Sequence, residues 1–468
     1  MIEPPIVVLG AGCTGLSAAR RLRAHGRPVV LVEAEDHVGG LAGGVRLGGD
    51  TYEYGPHIFH TTDAKILADV KNLMGADLLP YERTIEIKFL GNYFKFPLSI
   101  RDVLFKLPLT TVVNAGFSFL FYFTKGIFVS PAVENSETIL QRYYGNVLYK
   151  IFFKDYIERV WGVSPAQFSP SFARERIPRF NVLEFLDKIG GAIKRLVHRD
   201  RAMKTDGYVE KVEGELWTTK RGFSMICDRM AEDAVKNGAV LRLGTRAVGI
   251  KRDGPRVTGV EVDSNGKKEI IACSGIVNTL AINEAVQLFT PSLGAAVEDA
   301  ARALRFRAIV FVGLKVSRPK VLRASFMYFR EHSFNRVTDL AHFGFHIEPP
   351  GTTLLVAEIT CNPTDPVWTD EAMASNSVIA DLAREDILAP SEVLSATVFR
   401  ARHAHPMYLL GYEEALQIVR ESFSLMENAV TAGRQGGFQY VNTHVAMRMG
   451  QDAAESLNVK LGAARRDV

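Results

Sequence analysis

At 468 residues and 51.8 kDa the chain is too long for one simple core, and length alone predicts about three domain-sized units. Apolar residues make up 47% and charged residues 23%, and the formal net charge is only +4. This is the composition of a soluble globular protein, and it gives no argument for nucleic acid as a partner.

Four cysteines, Cys13, Cys227, Cys273 and Cys361, are scattered without a C-x-x-C pair, so neither a disulfide framework nor a zinc site is expected, and a reducing cytoplasm fits best. The N-terminus runs into a strand within a few residues, which leaves no room for a secretory leader.

The first element is IVVLGAGCTGLSAARRL, a β-branched strand, a tight turn and a helix, with Gly10, Gly12 and Gly15 in G-x-G-x-x-G spacing. Gly10 permits the turn, Gly12 lets a pyrophosphate approach the backbone, and Gly15 lets helix and strand pack closely. Free N–H groups at the helix start would hold the diphosphate. The next strand, RPVVLVEAED, ends in Glu33, placed to accept hydrogen bonds from a ribose. A second glycine cluster, HVGGLAGG, follows with Gly40 and Leu41. Then comes GPHIFHTTD, where His57 and His60 are open to three readings: metal ligands, a buried structural pair, or the wall of a cofactor pocket. The metal reading lacks further ligands nearby, so no metal site is expected.

Residues 1–80 form the first part of a dinucleotide domain on this reading, and 81–213, rich in Phe and Tyr and broken by prolines, an inserted helical domain. Within it the apolar run Leu109–Thr124 falls short of the ~20 residues that span a bilayer and reads first as a core helix. The basic run Lys194–Lys204 reads as a solvated helix end or loop. Residues 214–294 return to the dinucleotide domain through a helix, Asn237-Gly238, and a hairpin turning at Asn265-Gly266. Residues 295–398 hold β-rich runs expected to floor the substrate pocket, and 399–468 close the dinucleotide domain with a strand ending at Gly433-Arg434 and a helix starting near Asn442 or Thr443, with Val445 in its first turn.

The second glycine cluster followed by GPHIFH resembles the FAD-binding start of the family that contains UDP-galactopyranose mutases, protoporphyrinogen oxidases and flavin amine oxidases. The resemblance implies an α/β fold: a Rossmann-type (GR2-like) FAD domain in discontinuous segments, with inserted helical and β-rich substrate domains. It also implies that backbone near Val248 meets the adenine, that His57 and His60 pack around the flavin ring, and that the helix at Asn442–Thr443 points its N-terminus at that ring.

Three further segments are similar to mutases in particular. NYFKFPLS precedes the helical domain. YIERVWGVSPAQFSPSFARERIPRF puts Trp161 where mutases carry a pocket tryptophan and Arg176 where they carry a diphosphate arginine, and MYFREHSFNRVTDLAHF puts Arg336 at the second such arginine. Two guanidinium forks from distant segments suit a diphosphate.

ARHAHPMYLLGYEEAL, with His405, Pro406 and Tyr408, is similar to the sugar-contacting segment but has Leu409 where an acidic residue is expected. The implied activity is redox-neutral pyranose/furanose isomerisation of a nucleotide diphosphate sugar through an adduct on N5 of reduced FAD, which requires an external reductant. The alternative is an FAD-dependent oxidoreductase of an apolar or amine substrate, entered along Leu109–Thr124; no membrane contact is expected, a face of Leu109–Thr124 dipping into a membrane being the minor alternative.

Overall fold

The computed structural model describes residues 3–82, 84–95, 106–129, 131–177 and 215–463; the basic run Lys194–Lys204 lies outside the described residues. Five short parallel strands form the nucleotide sheet, in the order Ala429–Thr431, Gly275–Asn278, Ile6–Leu9, Val29–Val32, Val240–Arg242. The strand Ile6–Leu9 is buried on both faces, as expected of the central strand of a sheet covered by helices. Helix Cys13–Ala24 packs against helices Ser224–Lys236 and Thr443–Ala463, so N-terminal, middle and C-terminal segments share one core.

The second sheet has seven strands, ordered Val393–Pro406, Phe306–Val316, Thr353–Cys361, Arg336–Asp339, Phe326–Phe329, Ile85–Phe89, Asn92–Lys95. A smaller sheet contains the hairpin Arg256–Ser264/Lys267–Ala272, and its turn residues Asn265 and Gly266 both have positive φ (53° and 84°), the geometry that Asn-Gly tolerates best.

Three expectations are corrected here. The segment from residue 81 begins as strand rather than helix: Ile85–Phe89 pairs with Asn92–Lys95 and, in parallel, with Phe326–Phe329, in a sheet whose other five strands come from more than 200 residues later. The boundary drawn at 398/399 cuts through a single strand, Val393–Pro406, which continues to the pocket. Leu109–Phe128 is indeed helical but is no core helix, because Leu109, Phe117, Leu120 and Phe121 face solvent. Its other side packs on helix Ser136–Tyr149. That helix passes through a π-helical stretch, Lys150–Lys154, into Asp155–Trp161, which carries Tyr156 and Trp161 to the pocket.

Candidate active site

The nucleotide end is built from the turn after the first strand. Gly10 sits at φ 94°, and a Cβ on Gly15 would lie 1.9 Å from the Gly10 carbonyl oxygen, so this strand–helix approach tolerates no side chain at either position. Helix Cys13–Ala24 has Gly12 as its N-cap, no side-chain cap and no acidic residue in its first turn, which leaves its N–H groups and positive dipole end open to an anion. Glu33 lies at the end of the neighbouring strand, its Oε2 accepting from Ala11 N (2.8 Å) and its Oε1 from Glu35 N (3.0 Å). Gly40 and Leu41 form a short turn beside this loop, where Gly39 forms a bridge with Gly12. Val248 lies at a bulge between Ala247 and Gly249 in the strand Thr245–Asp253.

The C-terminal segment folds back onto the same helix. Gly433, at φ 90°, approaches so closely that a Cβ there would meet Thr14 Oγ1 at 2.5 Å. The strand before it ends at Thr431, two residues earlier than anticipated, and the long helix starts at Thr443 with Ala446 N donating to Asn442 O. Val445 lies in its first turn. Arg448 on this helix pairs with Asp63, which also caps helix Ala64–Met74, so the loop carrying both histidines is tied to the C-terminal helix.

The two histidines part company here. His60 is buried against His444, ring centroids 5.1 Å apart and edge to face. His57 packs 5.4 Å from Phe223, and its Nδ1 is buried without a hydrogen-bond partner. Burial, with Arg336 and Arg434 adding to it, pushes His57 down to about 3, so it is neutral at physiological pH.

Beyond His57 the pocket is dominated by guanidiniums. Arg176 ends helix Pro170–Arg176, whose N-cap Ser169 accepts from Ser171 N and whose backbone N–H at Ser169 donates to Tyr408 O. Arg176 lies 3.5 Å from the Tyr440 ring centroid and 4.4 Å from that of Trp161, and its Nη1 has no hydrogen-bond partner. Burial, reinforced by Arg434, lowers it to about 10, still charged at neutral pH.

Arg434 lies 3.9 Å from the same Tyr440 ring, and its donors go to Ala404 O (3.1 Å), Val441 O (3.3 Å) and His405 Nδ1 (2.7 Å). Because a guanidinium only donates, His405 accepts at Nδ1 and carries its proton on Nε2. Burial and then Arg434, Arg176 and Arg336 hold it well below the usual histidine range. Trp161 closes this side, 5.5 Å from His405 and packed on Phe168 and Phe172.

Arg336 is already engaged. Its strand pairs with Thr353–Cys361 so that Arg336 stands directly opposite Glu358, and the two form a two-pronged ion pair, Nε to Oε1 at 2.7 Å and Nη2 to Oε2 at 2.8 Å. Burial opposes its charge, but Glu358 outweighs burial and holds it above the ordinary arginine range. The expectation of a free diphosphate fork at Arg336 is thereby corrected: two of its donors are spent within the protein.

Tyr408 also differs from expectation. It is buried, stacks on Tyr412 (4.6 Å), and its hydroxyl accepts from Tyr440 N (2.9 Å), so it supports the pocket wall from behind. The wall itself is Tyr440, which sequence reasoning missed. Tyr440 keeps 40% of its surface accessible although two guanidiniums lie over its ring, so it faces an open space inside the site. Burial would raise its phenol, but Arg434, Arg176 and Arg336 outweigh that and bring it down to about 8. The available signal was an aromatic residue between the glycine turn Gly436-Gly437 and the capped helix. Glu358 had a signal too, a lone acid in the otherwise apolar strand TLLVAEITC. Among the described residues no cluster of three or more His, Cys, Asp or Glu is arranged to hold a metal ion.

The residues present fit FAD: an uncapped helix N-terminus for the diphosphate, a carboxylate at the strand end, and an orphaned buried imidazole nitrogen at the far end. Comparison with known proteins agrees. Residues 8–73 match the NAD(P)-binding Rossmann-like domain and residues 162–454 the flavin containing amine oxidoreductase family.

The probable UDP-galactopyranose mutase of Klebsiella pneumoniae is 27% identical over 179 residues, 38% of this chain and 46% of that one. The phytoene dehydrogenase of Streptomyces griseus is 29% identical over 301 residues, 58% of this chain and 54% of that one. The chain thus spans about half the length of the curated relatives it matches. A reduced UDP-galactopyranose mutase has the same fold, with a TM-score of 0.80 at 20% identity over 98% of this chain and 96% of that one. On the match across residues 162–454, together with the nucleotide fold before it, the chain belongs to the flavin containing amine oxidoreductase family, whose Rossmann domain implies FAD.

Proposed function

We propose that the chain is an FAD-dependent nucleotide-sugar mutase that interconverts pyranose and furanose forms. One observation carries this reading: Arg176 and Arg434 both lie over the Tyr440 ring, at 3.5 and 3.9 Å, and among the described residues Glu358, on Arg336, is the one carboxylate paired with any of these three arginines. Such a pocket has an excess of positive charge, and a diphosphate would offset it. An apolar or amine substrate would leave that excess uncompensated.

When bound and reduced, the flavin supplies an electron-rich centre for chemistry at the anomeric carbon. The chain's own residues hold and neutralise the rest. Arg176, whose Nη1 has no partner among the described residues, receives the diphosphate. Tyr440, whose phenol is brought down to about 8, donates a hydrogen bond to the same group. His57, neutral at physiological pH, leaves the flavin side of the pocket without added positive charge. His405, fixed as the Nε2–H tautomer, and Trp161 line the other wall.

The test is anaerobic incubation of chemically reduced and of oxidised enzyme with UDP- and dTDP-pyranose sugars, followed by chromatography for a new peak of unchanged mass. An isomer made only by reduced enzyme supports the mutase. Absence of any isomer, with flavin retained and bleached by an apolar or amine substrate, moves the assignment to an oxidoreductase, the reading that the partial similarity to a phytoene dehydrogenase favours.

A further inference from the structure

The helix Leu109–Phe128 presents a face that no part of the described protein covers. Leu109, Val113, Phe117, Leu120, Phe121 and Phe128 recur at helical spacing, and all are exposed, Phe117 at 71% and Phe128 at 84%. A contiguous stripe of this kind marks an interaction surface, unlike scattered exposed residues. The helix is seated rigidly from behind: Gly145 lies so close that a Cβ there would be 2.5 Å from Phe119 N, and Gly126 packs on the Arg142 side chain.

One polar group on the open face, Thr124, is satisfied locally. Thr124 Oγ1 donates back to Leu120 O (2.8 Å) and Phe121 O (3.0 Å), so it needs no partner from outside.

Charge decides what covers this face. From Lys106 to Val133 there is no acidic residue; Lys106 donates to Tyr93 O, and Lys125 stands exposed near the C-terminal end of the helix. If a second copy packed its helix on this face, Lys125 would meet its counterpart in a parallel pair or the uncharged Leu109 end in an antiparallel one, with no carboxylate of the helix to pair it in either. An anionic bilayer surface offers both an apolar phase for the aromatic side chains and phosphate for Lys125. Among the described residues no helix is long and apolar enough to cross a membrane, so the helix would lie in the plane of the surface.

We infer that helix Leu109–Phe128 docks the protein onto an anionic lipid bilayer, its aromatic face entering the headgroup boundary and the exposed Lys125 contacting phosphate. This inference is independent of the mutase assignment and would hold for an oxidoreductase equally.

The test is flotation of the full-length flavin-loaded protein with phosphatidylcholine vesicles, with and without about 30% phosphatidylglycerol. The wild type is expected to float with the anionic vesicles and weakly with the zwitterionic ones. F117S/F121S, whose altered side chains are exposed, should retain its flavin spectrum and lose partitioning on the order of tenfold per phenylalanine. Leu425→Ser, at an equally exposed leucine outside this helix, should float like the wild type. Lys125→Glu should lose the preference for anionic vesicles and provides the readout if the double variant does not fold. The inference is overturned by wild-type protein that stays with the soluble fraction, by F117S/F121S floating unchanged, or by a lipid-free wild-type dimer that becomes monomeric in F117S/F121S.

Discussion

The Arg336–Glu358 pair makes the sharpest test of how this pocket is held together. The two residues face one another across the register of antiparallel strands and share hydrogen bonds of 2.7 and 2.8 Å; the Glu358 side chain is 6% exposed and that of Arg336 23%. At 2.7 Å and an effective dielectric of about 20, Coulomb attraction is roughly 6 kcal/mol gross. Desolvation consumes much of that, yet removing one partner strands the other, so Arg336→Ala is expected to cost about 3–5 kcal/mol in urea unfolding. Glu358→Ala should cost less, because the guanidinium it strands borders the accessible pocket. Replacing both by Met should recover most of the loss.

On the mutase proposal the same pair should also tune ligand binding. Glu358→Gln keeps an acceptor but removes the negative charge, which frees the Arg336 field for an anion and should tighten nucleoside-diphosphate binding by about tenfold in calorimetry. A loss below about 1 kcal/mol for Arg336→Ala would refute the structural half of this reasoning. Unchanged diphosphate affinity in Glu358→Gln would refute the other half and make Arg336 a framework residue only.

Two further outcomes follow from titration. Tyr440 should ionise near pH 8 by tyrosinate difference absorbance, a step lost in Tyr440→Phe and moved upward in Arg176→Gln; because its folded value lies below the ordinary 10, it adds stability only as pH rises above 8 and loses it as pH falls through 8. Glu53 is the opposite case: it is 1% exposed, accepts from Ser224 N at 3.0 Å, and is pushed by burial from 4.5 to about 8. Its contribution is full below pH 4.5 and is lost as pH rises through 8, so Glu53→Gln should exceed the wild type in stability above pH 8 by on the order of 3–5 kcal/mol in urea melts, and equal melts at high pH would show that Glu53 ionises without cost.

What could be read from sequence divides along a physical line. The nucleotide end was legible because its requirements are local: Gly10, Gly12 and Gly15 are needed by a turn and a close approach within a few residues, and Glu33 follows at a fixed distance along one βαβ unit. The substrate end depends on register between distant strands. Nothing near Arg336 announces that Glu358 lies opposite it, and nothing near Tyr440 announces that Arg176 arrives from 264 residues earlier. The strand Ile85–Phe89 was read into a helical domain for the same reason, since its partner is Phe326–Phe329. Leu109–Phe128 shows a different limit. Periodicity reports that a helix has an apolar face, but it does not report whether that face meets protein, solvent or lipid.

The three pocket arginines are not equivalent, and their differences rank their roles. Arg434 donates to two carbonyls and to His405, so its position is fixed and it acts on the pocket mainly through its field, keeping His405 neutral and Tyr440 acidic. Arg336 has half its fork in Glu358. Among the described residues Arg176 has no carboxylate partner; it rests on Tyr440 and Trp161, and its Nη1 finds no hydrogen-bond partner among them. A buried cation without a counter-ion is costly in the empty protein, and the cost is recovered only when an anion binds. Arg176 is therefore the residue at which a diphosphate substrate and an apolar one make opposite demands. The first completes its hydrogen bonding, and the second would seal it into a still less polar environment.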